Sequence, residues 1–286
     1  MSSKHFNLIL NNKISPFKKS IKVDSDKSIS IRSFLIAAIS QNISVARNIL
    51  ESDDVFSTIN CLNKLGVRIK KLKSKHYLIY GKGMGSLSLK KNEKLNFGNS
   101  GTLARLLIGI LSTTPGITVN ISGDHSLNKR SMKKLINLMT KFGAFFLPKT
   151  KFNFPLKLIS SEMPVGINYN AGVSAQLKSA VLLAGLNSYG NTIINETQKS
   201  RDHTENMLLR NPHVIKVKNN KKKIIKILGK KYLNAIKVDV PNDPSSAAFF
   251  TALTLINKNS TIIIKNVGLN PTRIGFYKLL KTQGAK

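Results

Sequence analysis

The sequence contains no tryptophan, a single cysteine, few acidic residues and no long hydrophobic run. With Cys61 as the only cysteine, the chain can form neither an internal disulfide nor a cysteine-based metal site. Apolar stretches such as "AVLLAGL" fall far short of the roughly 18 residues that a membrane-spanning helix needs. The first residues, "MSSKHFNLILNN", lack the layout of a signal peptide. We therefore expect a cytoplasmic protein without a membrane segment.

The scarcity of acidic residues leaves a formal net charge of +33, from 46 basic and 13 acidic side chains. Such a charge is typical of proteins that bind nucleic acids. However, the lysines are spread along the whole chain, and the lysine-rich "KVKNNKKKIIKILGKK" has no interleaved aromatic rings on which bases could stack. We interpret the charge as solvated surface that can also attract small anions. A nucleic-acid-binding protein, the alternative, would show a steep dependence of affinity on salt.

Four segments share small polar residues followed by a helical apolar pattern: "SDKSISIRSFLIAAI", "GNSGTLARLLIGIL", "AGVSAQLKSAVLLAGL" and "NDPSSAAFFTALTLI". With helix starts at Ser28, Thr102, Ser174 and Ser245, the spacings are 74, 72 and 71 residues. This regularity predicts four copies of one structural unit.

Each unit carries a second helix, and three of these end before Gly66, Gly143 or Gly284, as expected for glycine caps. In the third copy, Asn211 and Pro212 take that place. β-Branched runs such as "GITVNIS", "NTIINE" and "TIIIKNV" lie between the two helices. The unit therefore reads strand, helix, strand, helix, then strands, in an α/β (α+β) fold. Either the helices or the sheets could lie inside.

The start of the first helix combines Lys27, Ser28 and Arg32. A single serine there is usually only a cap. Here Ser28 and Arg32 share one helix face, and the basic side chains oppose the helix dipole unless an anion binds. The pattern indicates an anion site at a helix N-terminus.

The second and third helix starts add groups suited to a hydroxylated anion. "GNSGTLARLL" offers Asn99 and Gly101, with Arg105 one turn later, and "VSAQLKS" offers Ser174 and Gln176. The sequence has no P-loop and no dinucleotide-binding fingerprint.

Two more basic segments are expected to open second helices: "HSLNKRSMKK", with Lys129 and Arg130, and "QKSRDHTENM", with Arg201. All these groups together suggest a small polyanionic ligand with hydroxyl groups, such as a phosphorylated sugar-like acid.

The segments "DKSISIRSFLIAA", "GNSGTLARLL", "GDHSLNKRSM", "GVSAQLKSAVLLAGL", "KSRDHTENML", "VPNDPSSAAFF" and "NVGLNPTRIGFYKLL" resemble the EPSP synthase family, in the family's order. The resemblance implies six β-α-β-α-β-β units in two domains with a cleft between them. About four copies are present here. A complete three-unit domain is expected at residues 22–238, and residues 1–21 with 239–286 would form part of the second domain.

The family transfers the enolpyruvyl group of phosphoenolpyruvate to the 5-hydroxyl of shikimate 3-phosphate in aromatic amino-acid biosynthesis. The resemblance implies a transferase without a metal or organic cofactor, acting on these two small molecules. We expect a monomer without nucleic-acid or membrane partners.

The resemblance also assigns binding residues by position in the matched motifs. Those expected at shikimate 3-phosphate are Lys27, Ser28, Arg32, Ser174, Ala175, Gln176 and Arg201. Those expected at phosphoenolpyruvate are Lys27, Asn99, Gly101, Arg130 and Gln176.

The sequence departs from the family in length, since family chains are about half as long again. Their last two units carry the general base, a catalytic lysine and arginines that hold phosphoenolpyruvate. No catalytic residue is therefore assigned here, and Asp243 at the fourth helix start is not taken for the base. The alternative is a C-terminally truncated remnant that binds substrate without turnover. For the chain alone we predict weak binding of shikimate 3-phosphate, no synthase activity and unburied apolar surface.

The nearest rival enzyme is the sister transferase that acts on UDP-N-acetylglucosamine. That enzyme uses a loop cysteine as general acid. Cys61 lies in the helical pattern "FSTINCLNKLG", which predicts a buried thiol instead.

Overall fold

The computed structural model describes residue 9 and residues 14–90, 92–219 and 222–285. Among these residues it contains nine helices and fourteen strands. The helices are α1 (Lys27–Ile39), α2 (Asp53–Lys64), α3 (Gly101–Ser112), α4 (His125–Lys129), α5 (Lys133–Lys141), α6 (Ala175–Leu186), α7 (His203–Leu208), α8 (Pro244–Ile256) and α9 (Gly275–Thr282). The strands are β1 (Lys18–Ile21), β2 (Ile43–Arg47), β3 (Arg68–Lys73), β4 (His76–Tyr80), β5 (Lys94–Asn96), β6 (Thr118–Ser122), β7 (Phe145–Leu147), β8 (Leu156–Ile159), β9 (Asn168–Ala171), β10 (Asn191–Glu196), β11 (Ile215–Asn219), β12 (Lys223–Leu228), β13 (Lys237–Asp239) and β14 (Thr261–Ile264).

The chain divides into two compact units. The larger is Ser25–Pro241, and the smaller combines Met1–Asp24 with Asn242–Lys286. Both boundaries fall slightly later in the chain than the predicted ones. Residues 1–8 and 10–13 of the predicted second domain lie outside the described residues.

The larger unit contains three four-stranded sheets with one topology: β13-β2-β4-β3, β5-β6-β8-β7 and β9-β10-β12-β11. In each sheet the first two strands are parallel and the remaining pairs are antiparallel. The predicted repeat and the mixed α/β class are therefore confirmed.

The predicted order within a unit needs one correction. β5 and β9 precede the first helices of their own copies, but the first strand of the first copy is β13, from the far end of the larger unit. In the smaller unit, β1 pairs in parallel with β14 in the same manner. Parallel strands need a long connection between them, so two strands that are far apart in the sequence can be neighbours in a sheet. The strand next to β2 is therefore not determined by its position in the sequence.

The first helices of the three copies in the larger unit form its interior. In α1, residues 30–39 are all buried, and α3 and α6 are buried on nearly all sides. The strands show alternating exposed and buried residues, as in β6 and β10, which is the pattern of a sheet with one face on a core. The helices thus lie inside, which settles the alternative that the sequence left open.

α3 and α6 approach each other closely at Gly109. A Cβ atom placed on Gly109 would lie 2.6 Å from the carbonyl oxygen of Ala180 in α6. Only glycine permits this distance, because the neighbouring atom is backbone and cannot rotate away. This contact holds the two helices side by side.

All four predicted helix starts differ by one residue from the first helical residue: Ser28, Thr102 and Ser245 are the second residues of α1, α3 and α8, and Ser174 precedes α6 as its cap. The N-cap residues are Asp26, Ser100, Ser174 and Asp243, whose side chains accept backbone N–H groups. In three copies an earlier polar side chain takes the capping position. The caps are spaced by 74, 74 and 69 residues.

The helix ends agree with the prediction. Gly66, Gly143 and Gly284 follow α2, α5 and α9 with φ values of 81°, 93° and 88°. This left-handed conformation favours glycine after a helix.

The smaller unit has little core among its described residues. Phe249 and Ile256 of α8 are 80% and 83% exposed, and Leu269 and Leu279 are also exposed. α8, β14 and Tyr277 line a cavity of about 810 Å³. In the part of the chain that is described, no helix is both long and apolar enough to cross a membrane.

Candidate functional site

Three buried helices of the larger unit begin side by side. Gln176 Nε2 in the first turn of α6 donates a hydrogen bond to Thr102 Oγ1 in the first turn of α3, at 3.0 Å. Arg32 Nη2 in α1 donates to Ser179 Oγ in α6, at 3.2 Å. α3 and α6 are thus linked at their first turns, and α1 and α6 are linked at their second turns. We call this region the helix-start site; its members are Lys27, Ser28, Arg32, Asn99, Gly101, Arg105, Arg130, Ser174, Ala175 and Gln176.

The electrostatics of the helix-start site favour an anion. Helix N-termini carry unpaired N–H groups and the positive end of the helix dipole. The first turns of α1, α3 and α6, all described, contain no acidic side chain. In contrast, the first turn of α2 contains Asp53 and Asp54. Asp26, the N-cap residue of α1, offsets the dipole of that helix, whereas α3 and α6 are capped by the neutral residues Ser100 and Ser174.

At the start of α1, Asp26 caps the helix by accepting from Ile29 N at 2.9 Å. Lys27 follows, with its side chain 48% exposed and Nζ 3.0 Å from Asp54 Oδ2. A ligand anion would compete with Asp54 for this ammonium group. Because the pair is partly exposed, it stabilises the fold only slightly.

Arg32 lies deeper than the sequence pattern suggested, since it is only 3% exposed. Its Nε donates to Thr204 Oγ1 at 2.9 Å, and its Nη1 donates to the carbonyl oxygen of Ser28 at 3.0 Å. Ser28 and Arg32 therefore share one face of α1, as predicted. These hydrogen bonds fix the orientation of the Arg32 guanidinium group against the first turn of α1.

Two guanidinium groups meet over the start of α3. Arg105 Nη1 donates to the carbonyl oxygen of Gly101 at 3.0 Å, and Arg130 Nη2 donates to Asn99 Oδ1 at 2.8 Å. A Cβ atom on Gly101 would lie 2.7 Å from Arg105 Nη1 and 3.4 Å from Arg130 Nη1. Burial lowers the pKa of Arg105, and the positive charge of Arg130 lowers it further. Like charges this close are the arrangement that an anion would relieve.

The position of Arg130 corrects one prediction. Lys129 and Arg130 do not open the second helix, because Asp124 caps the short helix α4, which ends at Lys129. Arg130 is the C-cap residue of α4, and α5 begins only at Lys133. This turn between two helices brings Arg130 to Asn99.

Arg105 is the site residue that the sequence analysis noted but did not assign to a substrate. The signal was its spacing of four residues from Gly101, which places it above that glycine on the helix.

At the start of α6, Ser174 caps the helix by accepting from Leu177 N at 3.4 Å. Ser174, Ala175 and Gln176 are each partly exposed. Their backbone and polar groups are therefore accessible beside those of Thr102.

Arg201 lies just before α7 and is exposed. α7 is joined to the helix-start site through Thr204, which accepts from Arg32. The structure thus brings nine of the ten predicted binding residues to the starts of three neighbouring helices and the turn after α4, and it places Arg201 on the adjoining segment.

Cys61 lies in α2 and is buried, with its Sγ 3.3 Å from the carbonyl oxygen of Asn96. Burial raises the pKa of its thiol to about 12. The buried helical thiol that the sequence predicted is confirmed. Among the described residues, no group of three or more His, Cys, Asp or Glu side chains could hold a metal ion.

Comparisons with known proteins agree with this architecture. The family model of EPSP synthase (3-phosphoshikimate 1-carboxyvinyltransferase) matches residues 11–286. The 3-phosphoshikimate 1-carboxyvinyltransferase of Bacillus subtilis is 40% identical over 275 residues, covering 96% of this chain and 63% of the relative. That of Syntrophomonas wolfei is 37% identical over 278 residues, covering 97% of this chain and 64% of the relative.

A solved structure of EPSP synthase from Acinetobacter baumannii superposes with a TM-score of 0.83 at 35% identity. It covers 95% of this chain, and this chain covers 60% of it. The chain thus spans about three fifths of the length of the proteins that it matches. Because the family model matches nearly the whole chain and the fold agrees with that of a solved member, this chain belongs to the EPSP synthase family.

Proposed function

We propose that this chain acts in the transfer of the enolpyruvyl group of phosphoenolpyruvate to the 5-hydroxyl of shikimate 3-phosphate. The products would be 5-enolpyruvylshikimate 3-phosphate and inorganic phosphate. The names of the matched relatives support this reaction. The observation that carries the proposal is a set of basic side chains at the starts of α1, α3 and α6, where the caps of α3 and α6 are neutral and Asp26 is the only acid that caps these three helices. Two anionic substrates need such a surface.

Shikimate 3-phosphate is assigned to the α1 and α6 side of the helix-start site. Its phosphate would bind the N-terminal N–H groups and Lys27, displacing the ammonium group from Asp54. The residues assigned to this substrate are Lys27, Ser28, Arg32, Ser174, Ala175, Gln176 and Arg201. Serine and glutamine side chains can also bind the ring hydroxyls, because they both donate and accept hydrogen bonds.

Phosphoenolpyruvate is assigned to the α3 side. Arg130 would hold its phosphate or carboxylate, and the backbone at Gly101 can approach the ligand closely. Arg105 adds positive charge above that glycine, at the carbonyl oxygen to which it donates. The residues assigned to this substrate are Lys27, Asn99, Gly101, Arg130 and Gln176. Lys27 and Gln176 would contact both substrates.

In the proposed reaction, protonation at C3 of phosphoenolpyruvate makes C2 electrophilic, and the 5-hydroxyl of shikimate 3-phosphate adds there. The hydroxyl gives up its proton as the C–O bond forms, and the tetrahedral intermediate then loses phosphate together with a proton from C3, which restores the carbon–carbon double bond. The residues of the helix-start site would hold both anions in reacting orientation and stabilise negative charge on the phosphate that leaves. The general acid and base are not assigned to any of these residues. The proposal requires no metal or organic cofactor and places the protein in the cytoplasm as a monomer.

Calorimetric titration with shikimate 3-phosphate tests the site, with shikimate as the control that lacks the phosphate. The expected result is binding of the phosphorylated compound and at least about tenfold weaker binding of shikimate, because the contacts to the phosphate are charge-assisted hydrogen bonds. Equal affinity for both compounds, or no binding of either, would overturn the assignment.

Phosphate release in the presence of both substrates then tests the chemistry. Turnover establishes enolpyruvyl transfer by this chain. Binding without turnover identifies the alternative, a chain that retains the substrate site and lacks catalytic groups.

A further inference from the structure

Lys178 is a lysine in α6 whose side chain is fully buried, and the proposed reaction gives it no role. Its Nζ lies 2.6 Å from Glu196 Oε1 and 2.6 Å from Glu205 Oε1. The side chains of these three residues are 0%, 3% and 1% exposed. Lys223 lies at the edge, 3.4 Å from Glu196 Oε2 and 3.8 Å from Glu205 Oε1. We call these four residues the Lys178 network; its two ammonium groups balance its two carboxylates.

The Lys178 network is not explained by stability alone. Removing charges from water is costly, and well-packed apolar residues often stabilise a buried position equally well. Burial by itself raises the pKa of Glu196, but hydrogen bonds from Lys178 and Ser200 outweigh it and the pKa is lowered. Glu196 therefore remains ionised and keeps directional bonds in the interior.

The Lys178 network is adjacent in the chain to both hydroxyl groups that bind Arg32. Ser179 follows Lys178 in α6, and Thr204 precedes Glu205 in α7. Thr204 Oγ1 donates to Ser179 Oγ at 2.8 Å, and both hydroxyls accept hydrogen bonds from Arg32. The ion pair of Lys178 with Glu205 and the hydrogen bond between Ser179 and Thr204 thus lie side by side, and both join α6 to α7. The two hydroxyl groups in turn hold the guanidinium group of Arg32.

The Lys178 network also fixes the segment that carries Arg201. Glu196, the last residue of β10, accepts from the backbone N–H of Ser200 at 3.0 Å and from its hydroxyl at 2.9 Å, through the same Oε1 atom that contacts Lys178. Arg201 is the next residue. The turn between β10 and α7 is therefore folded around the carboxylate of Glu196.

We propose that the Lys178 network positions Arg32 and Arg201 for shikimate 3-phosphate. This inference rests on the proposed function. Lys178 and the two glutamates are positioning residues, since they act through Ser179, Ser200 and Thr204. Loss of the network weakens the binding of shikimate 3-phosphate and leaves the sites at Arg105 and Arg130 unchanged.

The experiment compares Glu205→Gln, Thr204→Val and the double variant by calorimetric titration with shikimate 3-phosphate. Glu205→Gln retains the shape of the side chain and leaves Lys178 paired with Glu196, so it is preferred to Lys178→Met, which leaves two buried carboxylates to share the single ammonium group of Lys223. Each single change is expected to weaken binding about tenfold, as for a misplaced charged hydrogen bond. Thermal unfolding of each variant verifies folding at the titration temperature.

The double variant separates positioning from a general structural effect. If both changes act through Arg32, the double variant binds about as weakly as either single variant. If the effects multiply to about a hundredfold, the changes act independently and the inference is overturned. Glu93→Gln is the matched control, because Glu93 forms its ion pair with Lys64, a residue outside the site.

The Nε–H resonance of Arg32, assigned through Arg32→Lys, gives a readout that does not depend on ligand. In Glu205→Gln the resonance is expected to shift or broaden because the acceptor, Thr204 Oγ1, moves, and in Thr204→Val because that acceptor is absent. If the wild-type chain does not bind shikimate 3-phosphate, the proposed function fails while this resonance still tests the Lys178 network. If Glu205→Gln changes neither the resonance nor the affinity, the inference about the Lys178 network is overturned and the proposed function is not affected.

Discussion

Gly109→Ala is expected to destabilise the larger unit and to weaken its ligand site. The added Cβ atom would lie 2.6, 2.9 and 3.1 Å from the O, Cα and C atoms of Ala180. All three are backbone atoms of a buried helix, so no side-chain rotation can make room. α3 and α6 must therefore move apart.

The magnitude follows from two opposing effects. Forcing an extra methyl group into a packed interior costs about 1–3 kcal/mol. Replacing glycine by alanine inside a helix returns about 0.5–1 kcal/mol. The expected net loss in the free energy of unfolding is about 1–2 kcal/mol, which lowers the Tm of a unit of this size by roughly 2–8 °C. The hydrogen bond from Gln176 to Thr102 joins the same helices roughly 10 Å nearer their N-termini, so affinity for shikimate 3-phosphate should fall as well.

Urea and thermal unfolding measure the stability, and calorimetry measures the affinity. Gly172→Ala is the matched control for stability, because it lies in the same unit with no other atom within 4 Å of the added Cβ. It should be neutral or slightly stabilising. A Gly109→Ala variant as stable as the wild type would show that α3 and α6 are not in backbone contact, and the reasoning would fail.

Lys27→Met should weaken the binding of shikimate 3-phosphate about tenfold or more in calorimetry, because a charged contact to an anion is lost; Lys64→Met, which removes an exposed lysine outside the site, should leave it unchanged. Equal affinities of the two variants would contradict the role of Lys27. The pKa of Glu51 is lowered to about 2, since a hydrogen bond from Lys71 and further partners outweigh the effect of burial. The stability that ionised Glu51 adds is therefore complete above pH of about 4.5 and disappears as the pH falls to about 2, so unfolding curves of Glu51→Gln and wild type should differ at pH 7 and converge near pH 2. A difference in stability between Glu51→Gln and wild type that stays the same from pH 7 to pH 2 would be evidence against this link between Glu51 ionisation and folding. Cys61 should not react with a thiol reagent at pH 8 until the chain unfolds, because burial raises its pKa to about 12; fast labelling of the folded chain would show that the thiol is accessible.

Much of the candidate site could be predicted because its signals are local. Lys27, Gly101 and Gln176 each lie in the first turn of a helix whose apolar pattern is visible in the sequence. The start of each copy and the glycines after the second helices also depend on neighbouring residues, so the sequence predicts their positions to within a few residues.

Arg130 shows where local reading failed. The sequence predicts that Lys129 and Arg130 open a helix, but the cap at Asp124 starts a short helix earlier and leaves Arg130 in the turn after it. The helix starts shifted by one residue for the same reason, since several adjacent polar side chains compete for one capping position.

The sequence by itself determined the repeat, the type of each element and the groups at the helix starts, because periodicity and capping act over a few residues. Only the tertiary structure decided that β13 completes the first sheet, that the helices lie inside and that Arg32 is buried. It also decided that Lys178, one lysine among many in the sequence, meets Glu196 and Glu205 in the interior. Such pairings join residues that are distant along the chain, and their free energy exists only after the elements have packed.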